Sequence, residues 1–260
     1  MKIITAFFMA WGNFITLPCP YKRWDSELKN MMLAFLPSIG AVVGGLWILL
    51  IWLLRKADAA YEGFPASLAV ILCVFFLFNI CGFMHLDGFM DCNDAILSRR
   101  PLEDRQRILK DSNVGAFAVV TVIFLLLTWY AAMCDVGLNG PLPALFLIPV
   151  LSRGEAGLSV MRYRPIGHSQ YREDFEKPKT RVRIAARLQV VVYVAIAAAF
   201  AVSSEKLMIS VIAVILAVGI CGNIAGAYAR KQLGGMSGDI AGYMICFGEL
   251  AGIVALALMP

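Results

Sequence analysis

Apolar runs of membrane-crossing length recur through this chain, at about 30–54, 64–84, 116–134, 141–161, 188–203, 207–229 and 240–259. A run of roughly 20 apolar residues matches the hydrocarbon thickness of a bilayer. There is no water at that depth, so each backbone N–H and C=O must find its partner within the segment or a neighbour, and runs of this length do so as helices. Little of the 260-residue chain lies outside these runs. Any chemistry therefore sits on the membrane-embedded body itself. Composition agrees: 60% of residues are hydrophobic and 16% charged, whereas an average soluble domain carries roughly a quarter charged residues. The expectation is an all-α, polytopic helical bundle of about seven spans, forming one domain over 1–260. A disordered chain is excluded, and a soluble enzyme does not fit.

The start, from Met1 to Pro20, has a lysine and then an apolar run, as a signal peptide does. No small-x-small cleavage site follows, and Gly12, Asn13 and Pro18 interrupt it. A retained interfacial or re-entrant helix is expected there. The seven cysteines include no Cys-x-x-Cys pair and lie mostly in apolar stretches, where cysteine behaves as a small hydrophobe. Neither a disulfide framework nor a thiolate zinc site is indicated.

Basic residues set the orientation. The connections 20–29, 99–111, 162–187 and 230–231 together hold 18 Lys and Arg, while the alternate set holds only Arg55, Lys56 and Lys206. The positive-inside rule places the first set in the cytoplasm, and a cytoplasmic (inner) membrane is the expected location. The net charge of +5 is too mild to indicate nucleic acid, and no basic arm exists. The 162–187 loop, with Arg162, Arg164, His168, Tyr171, Arg172 and Lys179, suits lipid headgroups at least as readily as a substrate.

Charges at membrane depth are costly and therefore point to function. The densest group is His85-Leu86-Asp87-Gly88-Phe89-Met90-Asp91-Cys92-Asn93-Asp94. Asp87, Asp91 and Asp94 are spaced i, i+4 and i+7, within about 60° on one helix face. Three unpaired carboxylates on one face repel each other. A divalent cation would remove that repulsion, and hard oxygen ligands suit Mg²⁺ or Mn²⁺ rather than zinc. The plainer alternative is a solvated acidic cap paired with Arg99 and Arg100, although the flanking Phe83, Met84, Leu86, Phe89 and Met90 are unusual for one. His85 is a base, a ligand or simply a hydrogen-bonding interface residue.

Two more polar segments are expected on the same side. In Ile108-Leu109-Lys110-Asp111-Ser112-Asn113-Val114-Gly115, Asp111 or Ser112 is placed to cap the next helix. Lys110, Ser112 and the helix start could meet an anion. In Leu233-Gly234-Gly235-Met236-Ser237-Gly238-Asp239, three glycines allow close backbone approach, and successive N–H groups can cradle phosphate. Deeper in the bundle, Arg153 either pairs with Glu155 or Glu249 or contacts a phosphate through its guanidinium fork. Together these features favour a membrane transferase acting on a phosphorylated substrate, by positioning and charge neutralisation rather than through a protein nucleophile.

Residues 85–94 and 108–115, joined by an Arg-rich linker, resemble the cobalamin synthase family, the adenosylcobinamide-GDP ribazoletransferases. The likeness extends to Pro18, Pro20, Phe35-Leu36-Pro37 with Gly40 and Gly44, Ser152-Arg153, and Gly234 to Asp239 followed by Glu249. Ala95 and Ala118 stand where the family usually has glycine, and Ser237 where it usually has threonine. No carboxylate is lost. The resemblance implies the last assembly step of vitamin B12, in which adenosylcobinamide-GDP and α-ribazole, or its 5′-phosphate, give cobalamin or its phosphate and GMP. On that basis Asp87, Asp91 and Asp94 hold Mg²⁺ on the pyrophosphate, and Asp239 or Asp111 completes the site. Gly234, Gly235, Ser237, Gly238, Lys110 and Ser112 contact phosphate. One acid, or His85, takes the hydroxyl proton, and Arg153 offsets charge on the departing GMP. Membrane lipid, a second copy or other cobalamin-assembly enzymes are the expected partners. A CDP-alcohol phosphotransferase fits less well, because its aspartates are spread more widely and it lacks the His-x-Asp lead-in. A cation-coupled transporter would place its acids near midplane, usually in two related halves, whereas these gather at helix ends.

Overall fold

The computed structural model describes residues 1–61, 63–167 and 180–259. His168, Tyr171, Arg172 and Lys179 lie outside the described residues. Among the described residues the chain is helical: α1 (Lys2–Phe14), α2 (Lys29–Ala34), α3 (Leu36–Ala60), α4 (Ala66–Asn79), α5 (Met84–Leu97), α6 (Leu102–Ile108), α7 (Ala116–Val136), α8 (Leu142–Arg162), α9 (Thr180–Ala201), α10 (Glu205–Leu233) and α11 (Gly238–Ala257). Six of these, α3 and α7 to α11, are long and apolar enough to cross a membrane, and α4 with α5 forms a seventh candidate that is bent. The chain is a multi-pass, all-α membrane protein. The N-terminal segment does form a helix, and Ala6, Met9 and Ala10 of α1 are buried.

The main departure from the sequence reading is the second span. It does not run to residue 84 but ends at Asn79, and α5 leaves at 81° to α4. Gly82 (φ 60°) and Phe83 (φ 58°) make the corner in left-handed conformations. For a bulky residue such as Phe83 that costs on the order of 1–3 kcal/mol and persists only where the surroundings enforce it. The N-terminal segment braces the corner: Thr16 donates to the Ile80 carbonyl through its N–H (2.9 Å) and its hydroxyl (3.2 Å). The hydropathy runs on unbroken through Phe83 and Met84, so it could not show the break. A second departure is α9, which begins at Thr180 rather than 188 because Arg181, Arg183 and Arg187 extend its first turns.

α8 is the core helix, buried on almost every side. Helices in lipid gain most from close backbone approach through small residues. Gly40 and Gly44, four apart on α3, face the carbonyls of Pro149 and Phe146 with no room for a side chain. Near the end of α8, a Cβ on Gly157 would lie 3.0 Å from the Leu33 carbonyl. Gln189 of α9 donates to the Ala34 carbonyl at 2.9 Å, so the starts of α3 and α9 share an end with the C-terminus of α8. Short turns at 137–141, 202–204 and 234–237 alternate the direction of the remaining helices. The starts of α7 and α11 and the end of α10 therefore gather at one end of the bundle.

Candidate active site

Two glycines build the centre of the site. A Cβ on Gly88 of α5 would lie 2.8 Å from both Cα and O of Asp239, at the start of α11. A Cβ on Gly242, one turn on, would lie 2.9 Å from the His85 carbonyl. The two backbones thus touch, and this contact sets the α5 aspartates beside Asp239. The charges of Asp87, Asp239 and Asp94 all bear on Asp91. Asp87 is exposed, Asp91 and Asp239 are half-buried, and Asp94 is buried. Among the described residues the ion pairs are Arg107–Asp104 and Arg153–Glu249. Arg99 and Arg100 form none with the aspartates, so the paired acidic cap is not what forms.

Asp94 has a distinct setting. Its Oδ2 accepts from the Gly115 N–H at 2.6 Å and its Oδ1 from the Ala118 N–H at 3.0 Å. It closes the start of α7 from another helix, where a carboxylate also meets the positive end of the helix dipole. Gly115 is needed for this, because a Cβ there would lie 2.5 Å from Asp94 Oδ1. The cap of α7 is therefore at Gly115, not at Asp111 or Ser112 as the sequence suggested. Both of those residues are exposed in the preceding loop, as is Lys110. Asp111 Oδ1 accepts from the Asn113 N–H (3.0 Å) and from Asn113 Nδ2 (2.7 Å). These hydrogen bonds hold its carboxyl below the usual range.

The glycine turn is partly spent on local structure. The N–H groups of Gly234 and Gly235 both donate to the Arg230 carbonyl, at 2.9 and 3.2 Å, and close α10. Gly234 (φ 80°) takes the left-handed conformation that such a cap requires. The Met236 N–H donates to the Arg164 carbonyl at 2.8 Å, and Ile166 returns to Met236 at 3.0 Å. Ser237 Oγ accepts from the Ile240 N–H at 3.3 Å, capping α11. It also donates to Asp239 Oδ2 at 3.2 Å. The Gly234 and Gly235 N–H groups are therefore not free to cradle phosphate, and the helix start that adjoins the α5 aspartates is the first turn of α11, from Gly238 onward.

Arg153 is fully buried, and its Nη1 pairs with Glu249 rather than Glu155. Nη1 also reaches the Pro149 carbonyl at 3.2 Å, and Nη2 reaches Cys81 Sγ at 3.3 Å. Ser152 Oγ donates to the same Glu249 oxygen at 3.0 Å. Glu155 instead accepts from Asn223 Nδ2 at 3.0 Å. His85 lies between this pair and the aspartates: it is buried, its Nε2 has no hydrogen-bond partner, and it feels the charge of Arg153. Arg153 is thus sealed behind the site rather than opening onto it.

Among the described residues, no three His, Cys, Asp or Glu side chains form a ready-made metal centre. Asp87, Asp91 and Asp239 do concentrate negative charge where α5 meets the start of α11, and hard oxygens of this kind are what Mg²⁺ selects. Mg²⁺ is commonly held by one or two carboxylates together with substrate phosphates and water, so an incomplete cage still fits it.

A model of the family described as cobalamin-5-phosphate synthase matches residues 6–257. The chain belongs to the cobalamin-5-phosphate synthase family. Among the similar proteins, one named adenosylcobinamide-GDP ribazoletransferase from Clostridium perfringens strain 13 is 35% identical, with 100% of both chains covered. Relatives of the same name from Clostridium botulinum strain Alaska E43 and Geobacillus kaustophilus are 32% and 31% identical. They cover 99% and 94% of this chain, and 98% and 91% of their own lengths. No solved structure matches. The residues that sequence reasoning missed are Gly88, Gly115 and Gly242, whose importance lies only in what packs against them. Their signal, small residues beside the polar positions, is too common to stand out.

Proposed function

We infer that the chain is an adenosylcobinamide-GDP ribazoletransferase, joining adenosylcobinamide-GDP to α-ribazole or its 5′-phosphate with release of GMP. The ribose 3′-hydroxyl attacks the phosphorus that carries the cobinamide aminopropanol arm. The bond from that phosphorus to the bridging oxygen breaks, GMP leaves with the electron pair, and the hydroxyl proton passes to an aspartate of the cluster. The observation that carries this reading is the α5–α11 contact at Gly88, which gathers Asp87, Asp91 and Asp239 at the basic-loop end of a chain matched to the family over 6–257.

Asp87, Asp91 and Asp239 would hold Mg²⁺, which when bound neutralises charge on the pyrophosphate oxygens. The first turn of α11, with Gly238 and the Ser237 cap, lies against the phosphates at a helix N-terminus. Lys110 and Ser112, on the loop before α7, reach over the same end and add positive charge and a hydroxyl there. Asp94 fixes α5 to α7, so that Asp87 and Asp91 keep their place. Arg153 acts as a positioning residue through Glu249 and the adjoining His85, whose backbone rests on Gly242. The excess of basic residues in the loops at this end supports a cytoplasmic orientation for it. Phosphoryl transfer needs positioning and charge neutralisation more than covalent help, and this arrangement supplies both.

The test is an assay of the purified, detergent-solubilised protein with both substrates, with and without Mg²⁺. GMP and a cobalamin product formed in equal amounts, both abolished by EDTA, are expected. Intact substrates with no product, across several lipid compositions, would rule the reading out.

A further inference from the structure

A second polar cavity lies between α8, α9 and α10. Its volume is about 130 Å³, and it is lined by Arg162 and Ser159 of α8, Arg183 and Arg187 of α9, and Asn223 of α10, with Glu155 on its wall. That volume is roughly four water molecules' share of liquid, enough for one tetrahedral oxyanion. Arg183 and Arg187 are spaced i, i+4 and project from one face of α9. Among the described residues no carboxylate pairs with Arg162, Arg183 or Arg187. Among the described residues the acid that lines the cavity is Glu155, and it is held by Asn223 at 3.0 Å. Among those lining residues three guanidiniums thus outweigh one carboxylate.

The cavity's depth points to what fills it. Arg162 ends α8, while Arg183 and Arg187 lie in the first turns of α9, so the guanidiniums ring the bundle at the level where apolar helix meets water. Deeper along the same helices, Leu188 and Val191 of α9 and Ile220 of α10 are exposed. A ligand here meets positive charge at the top and apolar helix faces beneath. A guanidinium fork matches phosphate oxygens two at a time. Basic pockets between helices on the cytoplasmic side suit anionic headgroups.

We propose that this cleft is a binding site for an anionic phospholipid, its phosphate held by Arg162, Arg183 and Arg187 and its chains lying along α9 and α10. The site is separate from the aspartate cluster, which lies where α5 meets the start of α11. It uses the orientation assigned above but not the reaction.

Native mass spectrometry of the purified protein, titrated with phosphatidylglycerol or phosphatidylcholine, tests this. The wild type is expected to retain one phosphatidylglycerol in preference to phosphatidylcholine. Arg183→Gln with Arg187→Gln is expected to weaken that retention by about tenfold, while Arg181→Gln, an exposed arginine outside the cleft, changes it little. Equal retention of the two lipids by the wild type would overturn the proposal, and that arm depends on no variant's folding. So would a double variant that keeps its lipid while its KM rises for α-ribazole 5′-phosphate but not for α-ribazole, because the cleft would then be a substrate phosphate site. An enzyme inactive in every lipid would sink the proposed reaction and leave the lipid titration to be read by itself.

Discussion

Two groups of charge flank α11, and they are built in opposite ways. Arg153 and Glu249 are sealed inside the bundle, directly paired, with Ser152 and Cys81 taking up further hydrogen bonds. Asp87, Asp91 and Asp239 stand together as like charges, one exposed and two half-buried. A buried pair satisfies itself, and its value is lost only when one partner goes. A cluster of one sign is unfavourable in itself, and a bound cation relieves it. The first arrangement holds the fold in place, whereas the second, on the proposed function, waits for a ligand.

The largest expected effect comes from halving the buried pair. Glu249→Ala leaves Arg153 charged and without a counterion, at a cost of about 3–5 kcal/mol in stability. Thermal melting in detergent reads this directly. Replacing both partners, Arg153→Met with Glu249→Leu, should recover most of the loss, because the requirement is for mutual satisfaction rather than for charge. A double variant as unstable as the single one would break the distinction between the two groups.

Next comes the open cluster, where stability and activity should move apart. Asp91→Asn removes one of several crowded negative charges, so melting should hold or rise slightly. Transfer of ribazole should fall by roughly 10²–10³-fold, as when one electrostatic group is removed from an active site. Rate measurements over a range of Mg²⁺ concentrations check this. Full activity at ordinary Mg²⁺ levels would remove the metal assignment.

Much of this contrast was legible in the sequence, and the rest was not for physical reasons. The i, i+4, i+7 spacing of Asp87, Asp91 and Asp94 follows from helix geometry alone, so their shared face was readable. Arg153 and Glu249 were each conspicuous as charges in apolar runs, though sequence left two possible partners for the arginine. The spans were readable because hydropathy reports transfer into lipid. The corner at Gly82–Phe83 was not, because left-handed backbone leaves hydropathy unchanged. Nor was the approach of Gly88 to Asp239, a contact between residues on different helices that only packing decides. The phosphate role expected of Gly234 and Gly235 met a competing demand, since the end of α10 needs those same N–H groups.

Gly88→Ala tests that packing from a third direction. The added Cβ would meet Asp239 backbone at 2.8 Å, and backbone cannot swing aside as a long side chain can. Overpacking of this kind typically costs about 1–3 kcal/mol. Displacing Asp239 by about 1 Å relative to Asp91 should also lower turnover by roughly 10²-fold. Loss of stability and activity together is the expected signature, unlike either variant above. Unchanged turnover would mean that the α5–α11 spacing does not set the site.

The smallest effect, and the finest cut between the two groups, is at Asp94. It shares the aspartate face, yet both its oxygens are engaged by Gly115 and Ala118 at the start of α7. Asparagine is a competent helix cap, but it offers one carbonyl oxygen where the carboxylate offers two, and it carries no charge to meet the helix dipole. Asp94→Asn should therefore cost about 1 kcal/mol in stability. It should leave the Mg²⁺ concentration for half-maximal rate where it was, since Asp87, Asp91 and Asp239 keep their oxygens. A marked rise in that concentration would move Asp94 from the framework into the ligand set, and the boundary between holding and waiting would then run through α5 itself.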